Sequence, residues 1–323
     1  MPKVFVTRPI PEAGIHALKS KRYDVVVNEK AENRAATKEE LIAGANGVDA
    51  ILSVLTDKID SEVMDAGLPT LKIIANYAVG FDNIDLEAVK KRNIMATNTP
   101  GVLTNTVAEH TFALMLSIAH RISEADRFSR AGKYHAWGPS LLLGTDLYGK
   151  ILGVVGLGRI GSRVAYHAVR GFEMKVLYTD PKPNKDFEKE FGAQYVEKID
   201  DLLPFCDYVS IHVPLLDSTK HLINETMFKI MKRSAYLINT SRGPIIDEKA
   251  LARALQQKII RGAAIDVFEF EPEIVPELKG LDNVILTPHI ASATEETRNK
   301  MAEMAADNII EALEGRVPPN LVK

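Results

Sequence analysis

The sequence predicts an α/β protein of two units, each built on a mostly parallel sheet. Three observations carry this. Short β-branched runs alternate with helical stretches along most of the chain. The pattern restarts near residue 100, and a fresh strand then enters a glycine-rich turn. The length, 323 residues, exceeds one ordinary domain, for which about 150 residues is the usual share.

Lys3 to Thr7 reads as a short buried strand, and Pro11 to Lys19 as a helix with Ile15 and Leu18 inward. Tyr23 to Val27 is a strand, Lys38 to Ala43 a helix, and Ala50 to Val54 and Leu71 to Ala75 further strands. Leu86 to Arg92 is a helix before the strand Ile94 to Thr97. Thr104 to His120 is a long helix with little charge on any face, so it should be largely buried. A loop rich in glycine, proline and aromatics spans Ala131 to Gly149. The strand Ile151 to Val155 follows, then Lys175 to Tyr178, Tyr208 to His212, Ala235 to Asn239, Gly262 to Asp266 and Val284 to Leu286. Helices lie between them, Lys249 to Gln257 among them, and Glu295 to Glu314 reads as a strongly amphipathic helix.

Composition narrows the function classes. Lys plus Arg is 40 and Asp plus Glu is 43, a formal charge of −3, which argues against a broad nucleic-acid surface. The single cysteine, Cys206, excludes an internal disulfide and any multi-cysteine metal site. No metal is expected. Thr111 to Ala119 is the longest membrane candidate, well short of the roughly 20 residues a span needs. The start of the chain has an apolar run too short for a signal peptide. A cytoplasmic protein with no membrane partner is expected.

Gly156-Leu157-Gly158-Arg159-Ile160-Gly161 fits G-x-G-x-x-G. Alone the pattern is weak. Here a strand precedes it, and Val164, Ala165 and Ala168 keep helical spacing after it. The first glycine permits the tight turn, the second lets a pyrophosphate approach, and the third lets helix and strand pack closely. Amides at the helix start then face the phosphates. Asp180 ends the next strand, where an acid that bonds the ribose hydroxyls belongs. A carboxylate there repels a 2′-phosphate, so NAD(H) should be preferred over NADP(H).

Ligands in open α/β sheets bind beyond the carboxyl ends of the strands. Asn239-Thr240-Ser241-Arg242-Gly243 follows one strand, Asp266 ends another with Glu269 and Glu271 soon after, and Thr287-Pro288-His289 follows the last. An arginine, an acid and a histidine at three strand ends suit reduction of a 2-keto acid. Arg242 would fork onto the carboxylate and polarise the keto oxygen. His289 would donate the proton as a nicotinamide gives hydride, and a neighbouring carboxylate would favour its imidazolium form. Most of the other histidines, His110 and His221 among them, lack metal-ligand spacing and read as structural. Cys206 reads as simply buried.

Six motifs in order then carry a resemblance: Ala78-Val79-Gly80-Phe81-Asp82-Asn83-Ile84-Asp85, Asn98-Thr99-Pro100 leading into Ala108-Glu109, the glycine turn, Asn239 to Gly243, Asp266 to Pro272, and Thr287 to Ser292. Over essentially its whole length the chain resembles the D-isomer-specific 2-hydroxyacid dehydrogenase family. The resemblance implies two Rossmann-like domains. The cofactor domain, 101–290, would be inserted into a flavodoxin-like substrate domain, 1–100 and 291–323. The cleft between them would close over the substrate.

It also implies roles. Arg242 would take the substrate carboxylate and carbonyl, His289 would be the acid/base, and Glu271 rather than Glu269 its partner. The backbone of Val79 and Gly80 would hold the substrate carboxylate. Thr240 and Val213 would line the cofactor, with Asp266 on the nicotinamide side. Thr104, Arg159, Ile160, Ser241 and Ala291 complete the expected cofactor set, beside Gly156, Gly158, Gly161, Asp180, Arg242 and His289. Members are commonly homodimers.

The loop Lys133 to Pro139 resembles the glyoxylate/hydroxypyruvate reductase branch, whose tryptophan here reaches the partner's active site. Trp137 is expected either to do the same or to anchor the dimer. Several reductases of that branch carry basic residues after the second strand of the cofactor domain and use NADPH, whereas Thr179-Asp180-Pro181 points to NADH. The expected substrate is a small 2-keto acid, glyoxylate or hydroxypyruvate first. The competing readings are a corepressor-like protein that senses NAD(H), and a dehydrogenase of the same fold for 3-phosphoglycerate, D-lactate or phosphite. No regulatory extension is expected after Lys323, which disfavours the long phosphoglycerate form. Formate dehydrogenases of this fold pair the histidine with glutamine, whereas Glu271 is an acid.

Overall fold

The computed structural model describes residues 1–322. They form two compact units, Met1–Leu103 with the chain from Ala293 onward, and Thr104–Ser292. These breaks lie two or three residues beyond those expected from the sequence.

The first unit holds β1 (Lys3–Val6), β2 (Asp24–Val27), β3 (Ala50–Val54), β4 (Ile73–Tyr77) and β5 (Met95–Thr97). All are parallel, in the order β2-β1-β3-β4-β5. Interior strand β4 is buried at every residue, whereas edge strand β2 alternates between exposed and half-buried. That contrast follows from helices covering both faces of a parallel sheet. Helices begin where the sequence supplies a side-chain acceptor, at Thr37, Asp60 and Asp85. The helices Glu12–Ser20 and Glu295–Leu313 pack together, and the latter also lies on β4. Gly14 permits this approach, since a Cβ there would meet the Ala302 carbonyl oxygen at 2.7 Å. Buried between two neighbours, the last helix carries Ala305, Ala306, Asn308, Ile309 and Ile310 inward. Its apolar face is therefore broader and less sharply one-sided than expected.

The second unit holds β6 (Ile151–Val155), β7 (Lys175–Thr179), β8 (Gln194–Tyr195), β9 (Tyr208–Ile211), β10 (Tyr236–Asn239), β11 (Gly262–Ile265) and β12 (Val284–Leu286). The order is β12-β11-β10-β9-β6-β7-β8, again all parallel. The order reverses between β6 and β9, which opens a crevice at their carboxyl ends. Two apolar clusters fill the two faces. One joins β9 to β11 with the helix Glu248–Gln256, and the other joins β6 and β7 with the helices Thr104–Ala119 and Arg159–Phe172. The helix Thr104–Ala119 buries about half its residues, while Asn105 and Glu109 stay exposed.

Two expectations shift. The strand expected over Leu71 to Ala75 is β4, Ile73–Tyr77, because Asn76 is a buried strand residue despite its polarity. The short helices Ser61–Gly67 and Ile122–Arg130 were not foreseen, and Lys185–Phe191 and Glu225–Ile230 were foreseen only as helices of unstated bounds between strands. Cys206 is buried, and burial pushes its thiol up to about 12. Among the described residues no helix is long and apolar enough to cross a membrane.

Candidate active site

The glycine turn follows β6. Gly156 has φ +95, and a Cβ there would press on Val213 Cγ1 at 2.9 Å and on the His212 carbonyl at 3.0 Å. A Cβ at Gly161 would lie 2.0 Å from the Gly156 oxygen, so the helix closes on the turn only with glycine there. At Gly158 nothing lies within 4 Å, an open flank at the start of the helix Arg159–Phe172. The first-turn amides of that helix precede any i−4 carbonyl. Ile160 turns partly into the core and Arg159 stays exposed. Asp180 follows β7, and its Oδ2 accepts the Leu157 amide at 2.8 Å. An acid is thereby fixed at the rim of an open, donor-rich turn. These residues fit a dinucleotide: pyrophosphate against the turn, ribose against Asp180.

Arg242 stands in the loop after β10. The buried Asn239 shapes this loop: its Nδ2 donates to the Arg242 carbonyl at 2.9 Å. Its Oδ1 accepts the Ser241 amide at 3.0 Å and the Ser241 hydroxyl at 2.8 Å. The Arg242 Nη1 donates to the Ser241 carbonyl at 2.9 Å. Thr240 is buried with its hydroxyl 2.9 Å from that of Thr111. That contact ties the loop to the helix that Thr104 begins.

His289 follows β12 in a left-handed conformation, φ +53, which side-chain-bearing residues seldom adopt. Asp266 holds the strained turn. The His289 amide donates to the Asp266 carbonyl at 2.8 Å. The Asp266 carboxylate accepts the Thr287 hydroxyl at 2.6 Å and the amides of Ile290 and Ala291 at 2.9 and 2.8 Å. The His110 Nε2 lies 3.5 Å from Asp266 Oδ1. Complete burial opposes the charge on Asp266. His110, Thr287 and the two amides outweigh it and hold the carboxyl below its ordinary range.

The His289 Nδ1 is 2.8 Å from Glu271 Oε2, and Glu271 Oε1 accepts the Phe268 amide at 3.0 Å. Glu269 faces elsewhere: its Oε1 is 2.7 Å from His221 Nε2. The buried Glu248 spans the loop that carries Glu271, accepting the Glu269 amide at 2.8 Å and the Val275 amide at 2.9 Å. The Arg242 and Glu271 loops meet at Gly243, where a Cβ would lie 1.9 Å from the Phe268 carbonyl.

Sequence reasoning missed Glu248, named Asn239 without a role of its own, and read His110 and His221 as structural. The two histidines lacked metal spacing, and nothing local in the sequence joins residue 110 to 266 or 221 to 269. No cluster that could hold a metal ion occurs among the described residues. Trp137 is 79% exposed, on a stretch where Tyr134, Leu141 and Leu143 are exposed as well. Val79 and Gly80 lie in the other unit, just past β4, and are half-buried. A groove of about 210 Å³, lined by Arg121, Tyr236, Arg261 and Asn283 among others, opens where β10 and β12 start. It lies at the opposite end of the sheet from the strand-end residues above.

Residues 112–291 match the family described as D-isomer specific 2-hydroxyacid dehydrogenase, NAD binding domain. A glyoxylate reductase of Korarchaeum cryptofilum is 50% identical over 324 residues, 99% of this chain and 96% of the relative. The chain belongs to the D-isomer-specific 2-hydroxyacid dehydrogenase family. The dehydrogenase is similar in structure to a protein of Thermus thermophilus, with 41% identity, a TM-score of 0.93 and coverage of 99% and 100% of the two chains. It is also similar to an NADPH-dependent glyoxylate/hydroxypyruvate reductase of Sinorhizobium meliloti, with 30% identity, a TM-score of 0.85 and coverage of 100% and 98%. This dehydrogenase is thus an oxidoreductase of small hydroxy acids that uses a nicotinamide cofactor.

Proposed function

We propose that this dehydrogenase reduces a small 2-keto acid, glyoxylate or hydroxypyruvate in preference to others, to the 2-hydroxy acid, the D enantiomer where the product is chiral. The observation that carries the chemistry is the His289–Glu271 pair at 2.8 Å, set on a strained turn at the strand ends. Bound nicotinamide supplies the hydride for the keto carbon. His289 keeps Nδ1 on Glu271 and gives its Nε2 proton to the keto oxygen. The Glu271 carboxylate fixes the ring through Nδ1 and leaves Nε2 for the substrate. Arg242 presents a guanidinium to the substrate carboxylate and keto oxygen. The Val79 and Gly80 amides take the carboxylate. The name of the Korarchaeum relative supports glyoxylate among possible substrates.

NADH is the preferred cofactor. Asp180 sets a negative charge where NADP carries its 2′-phosphate, and Lys185, a few residues on, is already paired with Glu188 at 2.9 Å. Gly156, Gly158, Arg159, Ile160 and Gly161 hold the pyrophosphate. Val213, Thr240, Ser241, Asp266 and Ala291 line the remainder, with Thr104 at the start of its helix. The apolar stretch around Trp137 supports a homodimer. The lone buried cysteine supports a reducing, cytoplasmic compartment.

The stereochemistry of hydroxypyruvate reduction tests the reading. D-glycerate is the expected product, resolved by chiral chromatography. L-glycerate, or no product, overturns it.

A further inference from the structure

Three consecutive peptides after β4 have their carbonyls pinned from behind. The Ala78 oxygen accepts the Thr99 amide at 2.8 Å. The Val79 oxygen accepts Asn98 Nδ2 at 2.7 Å. The Gly80 oxygen accepts Asn76 Nδ2 at 2.8 Å. None of these peptides is cis, so each N–H points opposite to its carbonyl. The pinned carbonyls therefore fix the orientation of the N–H groups of Val79, Gly80 and Phe81. No acceptor among the described residues receives any of the three.

The pins are themselves held. Asn76 is fully buried; its Oδ1 accepts the Ser53 hydroxyl at 3.0 Å and Asn83 Nδ2 at 3.2 Å. Asn83 Nδ2 also donates to the carbonyls of Val54 and Asp57, at 3.2 and 3.0 Å. The Asn98 carbonyl accepts Asn308 Nδ2 at 3.3 Å, and the Asn98 amide donates to the Asn320 carbonyl at 3.3 Å. A peptide plane swings easily in a surface loop. Here side-chain amides from β4 and from the segment after β5 remove that freedom before any ligand arrives, as preorganised binding requires.

We infer that Asn98 and Asn76 are positioning residues that fix the Val79–Phe81 amides as a three-donor cradle for the substrate carboxylate, the Phe81 amide being its third donor. The inference rests on the assignment of that carboxylate to the Val79 and Gly80 amides.

The test compares wild type with Asn98→Ala and Asn76→Ser. The readouts are KM and kcat for glyoxylate, the inhibition constant of oxamate in the presence of NADH, the Kd of NADH, and Tm. Asn98 is only half-buried, so its variant folds even where the buried Asn76 site does not tolerate change. The expected result is a parallel rise of about tenfold in KM and in the oxamate constant, with kcat and NADH affinity nearly unchanged. A folded Asn98→Ala enzyme with wild-type KM and oxamate inhibition overturns the cradle. A lower Tm with no change in oxamate inhibition does the same, because it makes the contact merely structural. Wild type that neither turns over glyoxylate nor binds oxamate overturns the carboxylate assignment itself, whatever the variants do.

Discussion

Glu271 Oε2 lies 2.8 Å from His289 Nδ1, while Glu269, two residues earlier, is bound to His221 at 2.7 Å. Adjacent acids thus serve different histidines, and only one of these histidines stands on the strained turn that Asp266 clamps. Glu271→Gln keeps the size of the side chain and removes its charge. It should lower kcat about ten- to a hundredfold, while His289→Asn costs about 10²–10⁴. NADH binding, followed by fluorescence, should stay close to wild type in both. Wild-type kcat in Glu271→Gln would contradict the pairing.

Arg242→Ala removes the guanidinium but leaves Asn239 and the backbone of its loop in place. Turnover of any 2-keto acid should be abolished while NADH affinity stays within a few fold. Steady-state kinetics and a binding titration separate the two effects. Unchanged turnover would end the role given to Arg242.

Asp180→Ala removes the charge proposed to face the cofactor ribose, and with it the acceptor of the Leu157 amide. The ratio of kcat/KM for NADH over NADPH should fall, through loss of NADH affinity and relief of repulsion together. Wild type that already prefers NADPH would contradict the reading of Asp180.

Glu248 braces both ends of the Glu271 loop from a buried position. Glu248→Gln keeps one acceptor oxygen, so one partly buried backbone amide loses its partner at a cost of about 1 kcal/mol. Tm should fall, and kcat should fall with it while NADH affinity holds. Calorimetry and kinetics on the same preparation check both; wild-type Tm and kcat would show that the brace is idle.

His212 is half-buried beside the Ser210 hydroxyl, and loss of hydration lowers its pKa from 6.5 to about 3. The unfolded chain binds this proton more readily than the folded one. Its contribution to stability is therefore complete above about pH 6.5 and is lost as pH falls toward 3. This group alone should change the unfolding constant about tenfold per pH unit in that window. Chemical denaturation at several pH values, on wild type and on His212→Asn, measures it. Equal pH slopes in the two proteins would contradict the assignment.

Much of this was legible because it is local. The glycine turn, Asp180, Arg242 and His289 each stand at the end of a strand whose apolar run is visible in one stretch of sequence. The buried amides were not legible in the same way. Asn76 looked like the end of a strand because it is polar, yet it is buried within β4 and its side chain reaches forward to Gly80. Asn98 and Val79 are 19 residues apart, and Asp266 and His110 meet only through the packing of a helix on the sheet. The short helix Ile122–Arg130 buries no residue and offers only Ile122, Ala125 and Phe128 as apolar positions to read.

The most direct measurement is oxidation of NADH, and separately of NADPH, against glyoxylate, hydroxypyruvate, pyruvate and a bulkier 2-keto acid. The predicted result is fast turnover of the two smallest with NADH as the better donor. Binding of NADH with no turnover of any keto acid would contradict the account.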